Sequence, residues 1–124
     1  MSERQPFSAA GRIRSFVYAG RGIRVMLQSQ HNAWIHAGAT ATVILAGAAA
    51  ELTSTEWCLI ALSTVAVWTA EALNTAFEFL TDVASPSFHP VAEQAKDVAA
   101  GAVLIAATGA AIVGLLVFGP HVWG

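Results

Sequence analysis

Charge is scarce in this sequence: 11% of its 124 residues are Asp, Glu, Lys or Arg, against 56% hydrophobic. A soluble domain has roughly a quarter of its residues charged, so a soluble globule is the poorer reading. The single cysteine, Cys58, lies in an apolar run, which excludes an internal disulfide framework and suggests a packing residue. There is one lysine, Lys96, and no arginine follows Arg24. A net charge of -2 offers no basic field, so no nucleic-acid partner is expected. No GxxxxGK[ST] loop, kinase glycine loop or GxGxxG after a strand is present, so no familiar nucleotide-binding fold can be claimed. Residues 1–30 carry arginines throughout and no continuous apolar core, so a retained N-terminus is expected rather than a cleaved signal peptide.

What is present is long apolar runs. Residues 33–50, 57–80 and 98–118 are each near the roughly 20 that a helix needs to cross the hydrocarbon. These predict an all-α integral membrane protein with three transmembrane helices. Small residues recur every fourth position, at Gly38, Thr42, Ala46 and Ala50 and at Ala102, Ala106, Ala110 and Gly114, a spacing that lets helices approach closely in lipid. Arg4, Arg12, Arg14, Arg21 and Arg24 precede the first span and Lys96 lies between the second and third, so both places are expected to be cytoplasmic. The connection 51–56 and the tail 119–124 lack Lys and Arg, as suits the far side, where Trp57 and Trp123 would mark the interface. Residues 8–30 read as an amphipathic helix lying in the membrane interface, with Ile13, Phe16, Val17, Ile23 and Leu27 on one side and Arg14 and Arg21 opposite. Arg24 falls on the apolar side and is expected to snorkel. The predicted organisation is a cytoplasmic tail and interfacial helix over 1–31 and a three-span bundle over 32–124.

The second span carries Glu71, Asn74, Glu78 and Asp82, at offsets that align them on one helix face. A carboxylate in such a segment costs about 2.5 to 3.5 kcal/mol at the helix centre, so a row of them is expected to face a cavity, a metal or a partner. Ser85 and Pro86 then end the helix, and 87–97 read as a polar connector holding His89, Glu93, Lys96 and Asp97. Carboxylates able to hold a hard cation, one able to act as base, and a lysine able to meet phosphate equip a site for phosphoryl transfer. Spacing alone leaves a proton- or cation-coupled transporter open as well.

The run EALNTAFE beginning at Glu71, then Asp82, then Phe88, His89 and Pro90, and AKDVAAGAVL beginning at Ala95 resemble the signature of the prokaryotic diacylglycerol kinase family, which includes the undecaprenol kinases. SFVYA from Ser15, GIR from Gly22 and residues 32–36 extend the likeness over about 12–118. The resemblance implies a homotrimer of three-span subunits in the bacterial inner membrane, with composite active sites between neighbours near the cytoplasmic face. It implies transfer of the γ-phosphate of ATP, with Mg²⁺, to diacylglycerol, giving phosphatidic acid, or to undecaprenol, giving undecaprenyl phosphate. By matched position Glu71 is the catalytic base and Glu78 the carboxylate on the ATP-bound Mg²⁺. Lys96 and Asp97 match the nucleotide-contacting pair, Asn74 and Asp82 support it, and Tyr18, Ser87 and His89 lie near the nucleotide. The family's second metal-binding glutamate falls at Gln30, so a neutral amide stands at that nucleotide and metal position. The site thereby loses a unit of negative charge and holds a cation less tightly unless another group compensates, which keeps an inactive regulatory subunit among the readings. Pro86, Pro90 and the position of His36 resemble the undecaprenol-kinase branch somewhat more.

Overall fold

A computed structural model describes residues 6–124; Arg4, counted above among the basic residues, lies outside them. Four helices follow one another: α1 over Ala9–Ser29, α2 over His31–Ala50, α3 over Ser54–Ala84 and α4 over Pro90–Trp123. Ser8 starts α1 by accepting the Gly11 N–H at 3.0 Å, the usual service of a serine cap to an orphan donor. Gln30, extended at φ -120° and ψ 120°, ends α1 and opens α2. Glu51 closes α2 in the left-handed region at φ 54°. Thr53 then starts α3 with a capping box: its hydroxyl accepts the Glu56 N–H at 3.2 Å, and the Glu56 carboxylate accepts the Thr53 N–H at 3.1 Å. His89 caps α4 through Nδ1, which accepts the Val91 N–H at 3.1 Å. Pro90 opens that helix, where its fixed φ fits and its missing N–H goes unmissed.

The polar connector expected over 87–97 is therefore shorter than the sequence reading. Glu93, Lys96 and Asp97 lie on the first turns of α4, and only 85–89 is non-helical. The tail is likewise helical to Trp123. The cap and the N1 proline outweigh the local polarity on which the loop reading rested.

Helices α2, α3 and α4 are long and apolar enough to cross a membrane. With 31 and 34 residues, α3 and α4 rise about 46 and about 51 Å, well beyond the ~30 Å of hydrocarbon. They pack antiparallel along their length. Asp82 meets Lys96 at one end and Glu56 meets His121 at the other, pairs whose residue numbers sum to 178 and 177, so the register is straight. Large apolar side chains cover the outside, with Leu45 72%, Ile105 76% and Leu116 72% exposed, a surface suited to lipid rather than water.

The apolar core of one chain is small and sits at the α2–α3 turn. Leu52, Ile60 and Val117 are buried there, and Trp57, Val43 and Phe118 pack around them. A Cβ on Gly47 would come 2.5 Å from the Trp57 ring, so Gly47 is the close-approach glycine and Trp57 a packing residue. Trp123 is exposed. A Cβ on Gly38 or Gly114 would meet nothing within 4 Å, so these members of the small-residue ladders make no close contact inside one chain. Toward the opposite end the buried polar residues Glu71, Asn74 and Thr75 join the buried Met26, Ala33 and Ala99. Helix α1 is tied down by its last turns, where Met26 is buried and Leu27 half-buried, while Ile13, Phe16, Val17 and Ile23 stay exposed.

Candidate functional site

The acidic stripe of α3 faces inward and grows more exposed toward the helix end: Glu71 and Asn74 are buried, Glu78 half-buried and Asp82 exposed. Helix α2 meets it with polar groups of its own. The Gln30 amide donates to Glu78 Oε2 at 2.9 Å, His36 Nε2 lies 3.2 Å from Glu71 Oε2, and Trp68 Nε1–H donates to Thr40 Oγ1 at 3.0 Å. The paired numbers sum to 108, 107 and 108, as two antiparallel helices joined by a short turn require. Gln30 makes no side-chain cap to α2, so its amide is free for the contact across the bundle.

Glu71 is the extreme case. Its side chain is 0% exposed, Oε2 is held by His36, and Oε1 has no hydrogen-bond partner among the described residues. The Asn74 Oδ1, one turn on, is also buried and unpartnered. A buried acceptor left unpaired costs about 1–3 kcal/mol, more when charged, so these two atoms are poorly explained as stabilising contacts.

Lys96 reaches back from α4 to Asp82 at 2.5 Å, so the lysine and one supporting carboxylate are paired. Asp97, next along the helix, is exposed and has no ion-pair or side-chain hydrogen-bond partner among the described residues. In the turn before α4, the Ser85 hydroxyl donates to the Ser87 carbonyl at 2.9 Å, and both Ser87 and His89 are exposed. Tyr18 is not brought to this group. It lies on α1 twelve residues before Gln30, about 18 Å of helix rise, beneath the Arg21 guanidinium, which sits 5.5 Å from its ring centroid.

Among the described residues no three His, Cys, Asp or Glu side chains converge as a metal cluster. A cation at Glu78 and Gln30 would have one carboxylate and, after a half-turn of the amide, one carbonyl oxygen. Mg²⁺ accepts so sparse a protein shell when phosphates and water complete its octahedron, so the donor set fits.

Sequence reasoning set out the stripe and Gln30 but gave His36 no part in the site. The signal was available: with α2 and α3 joined by a turn centred near residue 52, position 36 faces the neighbourhood of position 71.

A family model described as prokaryotic diacylglycerol kinase matches residues 17–118. The chain is 42% identical over 107 residues to undecaprenol kinase of Bacillus subtilis (strain 168), covering 86% of this chain and 87% of that protein. It is 41% identical over 101 residues to diacylglycerol kinase of Synechocystis sp., covering 81% of this chain but 58% of that protein. The family match runs through both sides of the polar site, from α1 into α4 as far as residue 118, and with the named relatives decides what spacing left open between transporter and phosphotransferase. The chain belongs to the prokaryotic diacylglycerol kinase family and is a lipid kinase of that type.

Proposed function

We propose that this chain transfers the γ-phosphate of ATP to the hydroxyl of a lipid alcohol, undecaprenol or diacylglycerol, at the cytoplasmic face of a bacterial inner membrane. The working form is a homotrimer, with the amphipathic α1 lying in the interface and the N-terminus cytoplasmic. Undecaprenol is the first lipid to test, because the relative of that name is matched over most of its length.

The observation that carries the reading is the Glu71 carboxylate, buried in an apolar bundle with one oxygen held and the other free. That free oxygen is where a general base needs one. Glu71 Oε1 takes the hydroxyl proton as the lipid oxygen attacks the γ-phosphorus. Glu78, seven residues on and about 10 Å along the axis, lies with Gln30 where the phosphates and their Mg²⁺ would be held. When bound, that ion supplies neutralisation of the phosphate charge. Lys96, steadied by Asp82, offers a point charge to the same phosphates. Asn74 lends its unpartnered oxygen beside the base, Ser87, His89 and Asp97 contact the nucleotide, and Tyr18 reaches it only across a subunit boundary of the trimer.

The test is transfer from radiolabelled γ-ATP by purified protein in mixed micelles, with each lipid offered separately, with and without Mg²⁺. Label should enter lipid only with Mg²⁺, and Glu71→Gln should lose about 10²- to 10⁴-fold in kcat while keeping its oligomer. A folded wild-type oligomer that labels neither lipid overturns the reading.

A further inference from the structure

Among the described residues the one hydrogen bond to the buried carboxylate of Glu71 comes from His36, to which the lipid-kinase reading gives no role. His36 stands in the second turn of α2 with its side chain 15% exposed, Nε2 lying 3.2 Å from Glu71 Oε2. Its ring and backbone are both restrained. Trp68 meets the imidazole edge-on, with centroids 6.1 Å apart and planes at 69°. The Trp68 Nε1–H donates to Thr40 Oγ1 at 3.0 Å, and the Thr40 hydroxyl donates to the His36 carbonyl at 2.7 Å. An aromatic edge and a hydroxyl relay thus fix where Nε2 points.

We propose that His36 is a positioning residue for the phosphoryl transfer. Its Nε2–H donates to Glu71 Oε2, holding the carboxylate in one rotamer, and so presents Oε1 to the substrate. The inference rests on the reading of Glu71 as base. In the step, the lipid hydroxyl proton passes to Oε1 and the lipid oxygen bonds the γ-phosphorus. The bond from that phosphorus to the bridging oxygen breaks, and the nucleoside diphosphate leaves with the electron pair. His36 keeps its proton throughout, as an orienting donor does. A contact serving only to join α2 to α3 would be a costly choice, since apolar packing of similar volume joins helices at least as well as a buried charged group.

The experiment compares steady-state transfer by wild type, His36→Leu, His36→Gln and His36→Ala, the last with and without added imidazole. His36 lines a cavity of about 290 Å³ with Thr40, Ser63, Trp68 and Gly114, so the space vacated by its side chain in His36→Ala opens onto room for an imidazole. His36→Leu should lose about 10- to 100-fold in kcat, the range of a charge-assisted hydrogen bond, with KM for ATP and lipid within about two-fold. His36→Gln, which returns an N–H donor, should recover most of the rate, and imidazole should raise that of His36→Ala. The proposal is overturned if His36→Leu turns over like wild type. It is equally overturned if activity across the set follows melting temperature rather than the presence of a donor. If His36→Leu does not assemble, His36→Gln and the imidazole response decide. A wild type that labels no lipid removes the kinase reading itself, a result distinct from an active wild type indifferent to position 36.

Discussion

By the register that the resemblance implies, Gln30 stands where a metal-binding carboxylate is expected, and its surroundings say what an amide does there. Its amide donates to Glu78 at 2.9 Å, a contact that a carboxylate could make only by taking up a proton or sharing a cation. The amide therefore stabilises the site without metal and weakens it toward metal. Gln30→Glu should lower the melting temperature of the purified protein in Mg²⁺-free buffer, with Mg²⁺ restoring it, and should reduce the Mg²⁺ needed for half-maximal transfer by roughly an order of magnitude. A melting temperature indifferent to Mg²⁺ in that variant would remove Gln30 from the metal site. Position 30 was legible in the sequence because the resemblance supplied a register by simple counting. Its partner was not, since a contact 48 residues away depends on how α2 docks on α3. His36 escaped for the same reason: a histidine in an apolar run acquires a role only when the facing helix is known.

At the scale of the helices, the turn 51–53 sets the register that aligns Gln30 with Glu78 and His36 with Glu71, so its local chemistry reaches the far end of the bundle. Glu51 occupies the left-handed region, which costs a residue with a Cβ roughly 1–2 kcal/mol. Glu51→Gly should therefore raise stability by about 1 kcal/mol, read from thermal unfolding in detergent. Thr53→Ala should lower it by about 1 kcal/mol through loss of the capping hydroxyl. Gly47→Ala should cost about 1–3 kcal/mol, because the added methyl meets the Trp57 ring. The three spans were legible because a membrane imposes a length and an apolar content that sequence displays directly. The start of α4 was not, because Glu93, Lys96 and Asp97 look like a loop until His89 and Pro90 are recognised as a cap and first turn. The glycine ladders pointed to close packing without saying which chain supplies the partner.

At the scale of the whole molecule, one chain leaves its site incomplete. Among the described residues Glu71 Oε1 and Asn74 Oδ1 are buried without partners, Asp97 is exposed and unpaired, and Tyr18 stands about 18 Å of helix rise from Gln30. A groove between α3 and α4, lined by Leu73, Asn74, Phe77, Val98 and Ala102, leaves apolar surface open beside the unpartnered Asn74. These features fit the proposed trimer if each site joins the acidic stripe of one subunit to the Asp97 end of a neighbour. Mixing two inactive variants separates that arrangement from a site housed in one chain. In a ring assembled from equal amounts of Glu71→Gln and Asp97→Asn subunits, a composite site is intact when an Asp97→Asn chain, with Glu71 whole, is followed by a Glu71→Gln chain, with Asp97 whole. Random assembly makes that order in about a quarter of the sites, so co-refolded mixtures should regain about a quarter of wild-type transfer. A site contained in one subunit would regain none, since every chain then carries a defect in its own machinery. Mixing the same variants after separate reconstitution should also give nothing, because subunits already sealed in their own rings cannot exchange the missing half.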